Sequence, residues 1–348
     1  MFPPAQIVNC SVPAGMAAGP VPQGGFPGDA GTAAGPRKNV KEGDTPMRAL
    51  VVEHGSSGPV RFAEVDEPVP SRDQALVAIR HIGLNFGELN YVDQWPAGAV
   101  HGHDASGVVV RAAADGSGPP EGTRVALGMS AHAWAERVAV DPASLAAVPE
   151  GVELADGAAP GIAGVTALRV LRTRSLLARD VLITGAGGGV GRFAVQLAAL
   201  AGARVTALVG SPDRAAGLRA LGADEVLTSL AGTESRFDLV LDTVGGPLLA
   251  QAWDRLAEGG TLHAVGYSSG QDTTFPSGTL FGFGAPRTLA TFGDMTPTSA
   301  DLTELLDLMA AGKLSAPVGR RGVWQDVDDA VQALFARKVH GKIVLDVV

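Results

Sequence analysis

Apolar and polar positions fall into two regimes along the chain. From Met47 to about Leu154 the apolar runs are short, at 49–52, 76–79, 105–110, 123–126 and 137–140, and turn residues interrupt them at close intervals. That spacing predicts a compact β-rich unit. Beyond it, apolar runs at 181–184, 204–209, 225–227, 239–242 and 261–265 alternate with stretches of helical periodicity. The alternation predicts a doubly wound parallel sheet, so the fold class is α/β. A helix over 326–336 and a strand over 342–347 close the chain. That strand has no partner in the alternating series and is expected to rejoin the β-rich unit. The expected divisions are 47–154, 155–290 and 291–348, after an N-terminal extension, 1–46, in which Gly, Pro and Ala supply 23 residues. No periodic apolar face runs through the extension, so disorder is expected there, with Met47 as an alternative start.

One junction changes the picture. The run DVLITGAGGGVG at 180–191 drops from a buried strand, Val181, Leu182 and Ile183, into bare backbone at Gly187, Gly188, Gly189 and Gly191. From Val190 the apolar residues Val190, Ala194, Leu197 and Ala201 recur at helical spacing, and a second strand arrives at 203–209. With Ala186 in first place the loop fits A-x-G-x-x-G. A strand before it and a helix after it make it a cradle for a dinucleotide diphosphate at a helix N-terminus. The competing reading is a tight strand-to-helix turn without a ligand.

Composition narrows the function. At 348 residues and 46% hydrophobic, the chain is long enough for two domains with sizeable cores. No apolar segment reaches the roughly 18 to 20 residues of a membrane helix. A formal charge of −9 argues against nucleic acid and favours a small neutral ligand. Cys10 is the single cysteine, which excludes an intrachain disulfide and a cysteine zinc cluster and makes the cytoplasm the expected setting.

The segments GLNFGEL (83–89), GHDASGVV (102–109), GVTAL (164–168), GAGGGVG (185–191), LGADEVL (221–227), FDLVLDTVGG (237–246), GGTLHAVG (259–266) and HGKIVLDV (340–347) follow in order. Together they resemble the medium-chain dehydrogenase/reductase superfamily, in its zinc-independent quinone oxidoreductase-like and enoyl reductase-like branch. The resemblance implies a Rossmann domain inserted in a split GroES-like catalytic domain, an active site in the cleft between them, and a homodimer. It also implies that Val244, Val265 and Gly266 lie beside the nicotinamide and that Asn85 and Thr166 border the ring and its ribose. In zinc-dependent members a cysteine takes the place of Asn85, a His-Glu pair that of His103 and Asp104, and a cysteine or acid that of Ile162. Two of three ligand places therefore carry poor donors, and no metal is expected. His101 and His103, two apart, leave a metal site outside the family pattern as the alternative.

The tip of the second Rossmann strand reads Val209-Gly210-Ser211-Pro212-Asp213-Arg214, without the acid that NAD-specific folds place on the ribose. Gly210 leaves room, Ser211 offers a donor and Arg214 a fork for a 2′-phosphate, which predicts NADP(H). The competing reading has Asp213 and Arg214 simply starting a helix. Without zinc, an acceptor that spreads its own negative charge is favoured, so the expected reaction is NADPH-dependent reduction of a quinone or α,β-unsaturated carbonyl. Tyr91 and His103 are the candidate proton donors, with Trp95 in place of Tyr91 if the motif shifts, and Asn85 completes the catalytic set. An enoyl-thioester reductase acting on a carrier-bound chain, a zinc-free alcohol dehydrogenase-like protein and a non-catalytic NADPH-binding protein are the rivals. The aromatic segment 275–292 and Trp134 are each open between pocket wall and core, the former also between pocket and subunit interface.

Overall fold

Short Val, Leu and Ile runs hide their apolar faces by pairing, and in this protein they pair into two large sheets. The computed structural model describes residues 46–55, 58–294 and 296–348. In chain order its elements are β1 (Pro46–Val52), β2 (Val60–Asp66), β3 (Ala75–Leu84), α1 (Phe86–Asn90), β4 (Asp104–Arg111), β5 (Arg124–Leu127), β6 (Arg137–Val140), β7 (Leu145–Ala147), α2 (Leu154–Gly157), α3 (Ala163–Leu171), β8 (Asp180–Thr184), α4 (Gly189–Leu200), β9 (Arg204–Leu208), β10 (Glu225–Leu227), β11 (Phe237–Asp242), α5 (Gly246–Asp254), β12 (Leu256–Ala264), β13 (Thr288–Thr291), α6 (Ser299–Ala310), β14 (Val318–Val323), α7 (Val327–Phe335) and β15 (Lys342–Asp346). The disorder expected over 1–46, and Cys10 within it, concerns residues outside the described ones, Pro46 excepted.

Strands β8 to β13 form one parallel sheet in the order β10-β9-β8-β11-β12-β13. The chain runs outward from β8 to β10 and then crosses back to β11, so the order reverses between β8 and β11. Open α/β sheets take ligands outside the carboxyl ends at such a reversal. Here those ends are tied together: Thr184 Oγ1 donates to Asp242 Oδ1 at 2.5 Å, and Gly245 N–H donates to Asp242 Oδ2 at 2.8 Å. Val181, Ile183 and Leu241 face a core with Phe193 of α4, Val165 of α3 and Leu305 of α6. Leu182, Val240 and Leu262, on the other face, pack with Leu249 and Trp253 of α5. Coverage on both faces explains why these strands are apolar at nearly every position. Each such buried side chain contributes about 1.5–3 kcal/mol.

The second sheet runs β14-β15-β3-β4-β5-β7, with β6 on the long β3. Strand β15 is antiparallel to β3, Ile343 opposite Leu84, and parallel to β14. Leu50 of the β1–β2 pair shares one core with Ile79, Leu127, Trp134, Trp324 and Leu345. Trp134 is therefore a core residue, its Nε1–H donating to Gly83 O at 3.3 Å. Strands β2, β7, β13 and β14 go beyond the sequence expectations. Strand β2 has one buried residue, Val60, among seven, and β14 carries Arg320 and Arg321, so neither shows a clean apolar alternation.

Candidate active site

The glycine loop follows β8 directly. Gly185 has φ +61°, which an L side chain rarely adopts, and a Cβ there would lie 2.2 Å from Thr243 Oγ1. A Cβ at Gly191 would lie 2.5 Å from both Gly185 O and Ala186 Cα, so the loop closes only because position 191 is bare. Gly188 is the N-cap of α4 and supplies no capping side chain. The first-turn amides Gly189, Val190 and Gly191 thus present the positive end of the helix dipole, a fit for a diphosphate. Ala186 and Gly187 are buried in the turn.

Around this cradle stand three arginines and a histidine. Arg192 Nε donates to Gly187 O at 3.3 Å and its Nη2 to Ala216 O at 2.7 Å. Arg214 lies over Gly187, whose Cβ would be 3.1 Å from its Nε, and donates to the carbonyls of Arg337 and Val339. Arg337 bonds Ser268 O and stacks on Phe86, its guanidinium carbon 4.2 Å from the ring centre. Burial and then the charge of Arg214 lower the affinity of Arg192 and Arg337 for their protons, and His340 is lowered by burial, Arg214 and Arg192 against the opposing Asp213. Among the described residues none of these three arginines has a salt-bridge partner within 4.0 Å. Gly210 is exposed with open space where a Cβ would be, and Ser211 is the N-cap of a short 3-10 helix over Pro212–Ala215.

On the other side of the cradle lies a buried polar network. Asn85 is the N-cap of α1, and its N–H donates to Oε1 of Glu88, the third helical residue, at 2.7 Å. Asn85 Nδ2 donates to Glu88 Oε1 at 3.1 Å and to Asp104 Oδ2 at 2.8 Å. The other Glu88 oxygen accepts from His103 Nδ1 at 2.8 Å. Asp104 Oδ1 accepts from the Ile162 N–H at 2.8 Å, while Lys342 Nζ donates to Asp104 Oδ2 at 3.0 Å and to Asn85 Oδ1 at 2.5 Å. Burial pushes Glu88 up, but the hydrogen bond and charge of His103 outweigh it and hold the carboxyl below its ordinary value. Burial pushes His103 down, and Glu88 with Asp104 raise it above the usual imidazole value. Asp104 is raised by burial, with Lys342 pulling the other way.

The C-terminal segment joins the two halves. Gly341 N–H donates to Gly187 O at 3.0 Å, and Lys342 passes so close under the loop that a Cβ on Gly189 would lie 2.9 Å from its Cδ. The structure thus gathers Asn85 and His103 into one network and sets the glycines beside it. Thr166 is buried in α3. Val244, Val265 and Gly266 follow the carboxyl ends of β11 and β12, where Val265 and Gly266 donate to Asp242 O at 2.8 and 3.2 Å. Tyr91 stays outside the network: it is the C-cap of α1 and is 38% exposed. Trp95 instead lies edge-on to His101 and His103, at 5.0 and 5.8 Å between ring centres. Segment 275–292 divides, with Phe275 against Trp253 and Phe281 and Phe283 exposed at 77% and 94%. Sequence reasoning missed Glu88, Lys342, Arg192, Arg337 and His340; the N-x-x-E spacing of a capping box was the available signal for Glu88.

A family model described as zinc-binding dehydrogenase matches residues 221–345. Bovine (Bos taurus) prostaglandin reductase-3 is 31% identical over 327 residues, covering 80% of this chain and 82% of that one. The chain belongs to the medium-chain dehydrogenase/reductase superfamily, in its quinone oxidoreductase-like branch. Erythronolide synthase EryA2 of Saccharopolyspora erythraea is 34% identical over 85% of this chain, which spans only 9% of that protein's length. The quinone oxidoreductase of Pseudomonas syringae pv. Tomato DC3000 has the same fold, with a TM-score of 0.76 at 25% identity over 86% of this chain and all of that one. The protein is therefore a medium-chain oxidoreductase with Rossmann and GroES-like parts. The donor set does not suit the zinc that the family model's description implies. Asn85 offers an amide already committed to Lys342, Ile162 has no donor, both Asp104 oxygens are taken, and His103 Nδ1 is held by Glu88. Among the described residues no three His, Cys, Asp or Glu side chains are grouped to hold a metal, the pair His101 and His103 included.

Proposed function

We propose that this chain reduces a quinone or an α,β-unsaturated carbonyl with NADPH and without catalytic zinc. The observation that carries the reading is the Asn85–Glu88–His103–Asp104–Lys342 network, which fills the place of the family's zinc ligands with paired acids and cations beside the glycine cradle. A conjugated acceptor suits such a site, because it delocalises the charge it gains and needs no Lewis acid at a single oxygen. The unpaired Arg192, Arg214 and Arg337 favour a ligand with a further phosphate, hence NADPH over NADH.

When bound, the reduced nicotinamide supplies hydride. The first-turn amides of α4 would hold the diphosphate, Arg214 and Arg337 would take the 2′-phosphate, and Thr166 and Asn85 would border the ribose and ring with Val244, Val265 and Gly266. Asn85 has both amide hydrogens engaged, so its contribution to a ligand is the remaining lone pair on Oδ1. His103 donates the proton that completes reduction. The acceptor is a small apolar molecule rather than a nucleic acid, in keeping with the charge of −9. A homodimer is part of the same reading, supported by the exposed Leu280, Phe281 and Phe283 beside edge strand β13.

NADPH oxidation measured across quinones, enones and enoyl thioesters, with NADH in parallel and metal analysis of the purified protein, tests the proposal. Turnover with a quinone or enone at substoichiometric zinc is expected. Binding of NADPH without oxidation by any acceptor, or stoichiometric zinc lost together with activity on chelation, overturns it. Selective turnover of enoyl thioesters would instead support the second reading, a reductase of thioester-bound chains, which the 34% identity to erythronolide synthase favours.

A further inference from the structure

The geometry points to Glu88 as a positioning residue: it holds the His103 ring with Nδ1–H on its carboxylate and Nε2 toward the cleft, so that Nε2–H is the proton handed to the reduced acceptor. The inference rests on the hydride-transfer reading above.

Both Glu88 oxygens are committed. Oε1 closes the first turn of α1 on the Asn85 N–H at 2.7 Å, and Oε2 meets His103 Nδ1 at 2.8 Å. The carboxylate cannot turn without opening a helix of five residues. A carboxylate only accepts, so the hydrogen between the pair sits on His103 Nδ1 and the tautomer is fixed. The Glu88 backbone adds a second hold, its carbonyl accepting from His101 Nε2 at 3.0 Å, and burial keeps His101 below the usual imidazole value despite Glu88. Trp95 stands edge-on to both imidazoles. The charged groups facing His103 are Glu88 from α1, His101 and Asp104 from its own stretch of chain, and, beyond Asp104, Lys342 from β15. Lys342 engages Asp104, which leaves Glu88 as the partner that orients the ring.

Nε2 is the free end. Among the described residues it makes no hydrogen bond, and no fully enclosed side-chain nitrogen or oxygen lacks a partner, so this atom keeps some accessible surface although His103 as a whole is buried. Addition of hydride to the conjugated carbon sends an electron pair onto the acceptor's oxygen. The His103 Nε2–H bond then breaks, the proton passes to the enolate carbon or the hydroquinone oxygen, and the N–H pair stays on Nε2. The ring is left as neutral imidazole with hydrogen on Nδ1, and solvent restores the proton.

The test compares the full chain with Glu88→Gln, which keeps the side-chain length and an oxygen for the Asn85 N–H. Imidazole ¹⁵N spectra of the NADPH-free protein are expected to find neutral His103 protonated on Nδ1 in the parent and to lose that preference in the variant. With an accepted enone or quinone, kcat falls about tenfold or more while the KM for NADPH stays within roughly twofold, and the solvent deuterium isotope effect on kcat rises. A parent whose neutral His103 carries its hydrogen on Nε2 overturns the proposal without any variant. So does Glu88→Gln with unchanged tautomer, or with altered tautomer and unchanged kcat. If the parent oxidises NADPH with no acceptor, the proposed function fails separately, and the tautomer in parent and variant still decides whether Glu88 holds the ring.

Discussion

Lys342→Met removes the cation from an ion pair in which Lys342 is 2% and Asp104 0% exposed. Methionine replaces most of the apolar stem that runs under Gly189, so the change is chiefly one of charge. Asp104 keeps the Ile162 N–H and Asn85 Nδ2, each at 2.8 Å, but loses its counter-ion. Removing one partner of a buried pair costs about 3–5 kcal/mol. The carboxyl has one escape, protonation, and burial already favours it. Each pH unit is worth about 1.4 kcal/mol, so lowering the pH from about 7 to about 5 returns up to about 2.7 kcal/mol. The sign follows from linkage: a raised folded pKa gives stability that is present below the unfolded pKa and lost as pH rises through the folded one. Without Lys342 the Asp104 value rises further, and the gap between parent and variant narrows toward low pH. Urea unfolding at both pH values, followed by the buried Trp134 and Trp324, measures that gap. A loss under about 1 kcal/mol at pH 7, or a gap that stays constant or widens toward pH 5, refutes the reasoning. Adding Asp104→Asn removes the orphaned charge and is expected to recover at least half of the loss; no recovery refutes it equally.

Other outcomes follow from the same contacts. Gly191→Val places a Cβ 2.5 Å from Gly185 O and should abolish saturable NADPH binding by calorimetry. Arg214→Ala and Arg337→Ala should each raise the KM for NADPH about tenfold, the worth of one charge-assisted hydrogen bond, and leave the KM for NADH unchanged. Glu88 is lowered and His103 raised, so the pair stabilises the fold above the ordinary Glu value of 4.5 and below the ordinary His value of 6.5, weakening as pH falls through the folded Glu88 value or rises through the folded His103 value. The stability difference between parent and Glu88→Gln should therefore peak between those values in urea titrations and shrink on either side. Phe281→Ser with Phe283→Ser, at residues 77% and 94% exposed, should shift a sedimenting dimer toward monomer and change monomer stability by less than about 0.5 kcal/mol.

What the chain revealed in advance was whatever depends on neighbours in sequence. Val181 to Gly191 announced strand, bare loop and helix, because a parallel strand buried on both faces is apolar throughout and its turn into a helix needs glycine. Strand β14 was silent, since Arg320 and Arg321 sit on an edge with little to bury. The site's acids and cations were hidden by distance: Lys342 meets Asn85 257 residues away and Asp104 238 away. Asn85 and His103 were legible as family positions, but their hydrogen-bond state was not, because it is set by Glu88 and Lys342. Arg337 was unreadable for a related reason, since its stacking on Phe86 and bond to Ser268 O join three separate parts of the chain.

Residues 337–342 tie the glycine loop after β8 to the network around Asn85 and His103. Arg214 grips the carbonyls of Arg337 and Val339, and Gly341 donates to Gly187 inside the loop itself. One residue further on, Lys342 fixes the Asn85 amide, whose backbone N–H is closed by the same Glu88 that orients His103. An anion drawn to Arg214 and Arg337 therefore acts on a short segment whose far end sets the imidazole's surroundings. Four ionisable side chains in the network pair as Glu88 with His103 and Asp104 with Lys342, so with His103 protonated the network itself is balanced. On the proposed function, a centre so balanced would offer a proton but no strong electrophile, which would suit an acceptor able to spread incoming charge over a conjugated system better than a simple ketone.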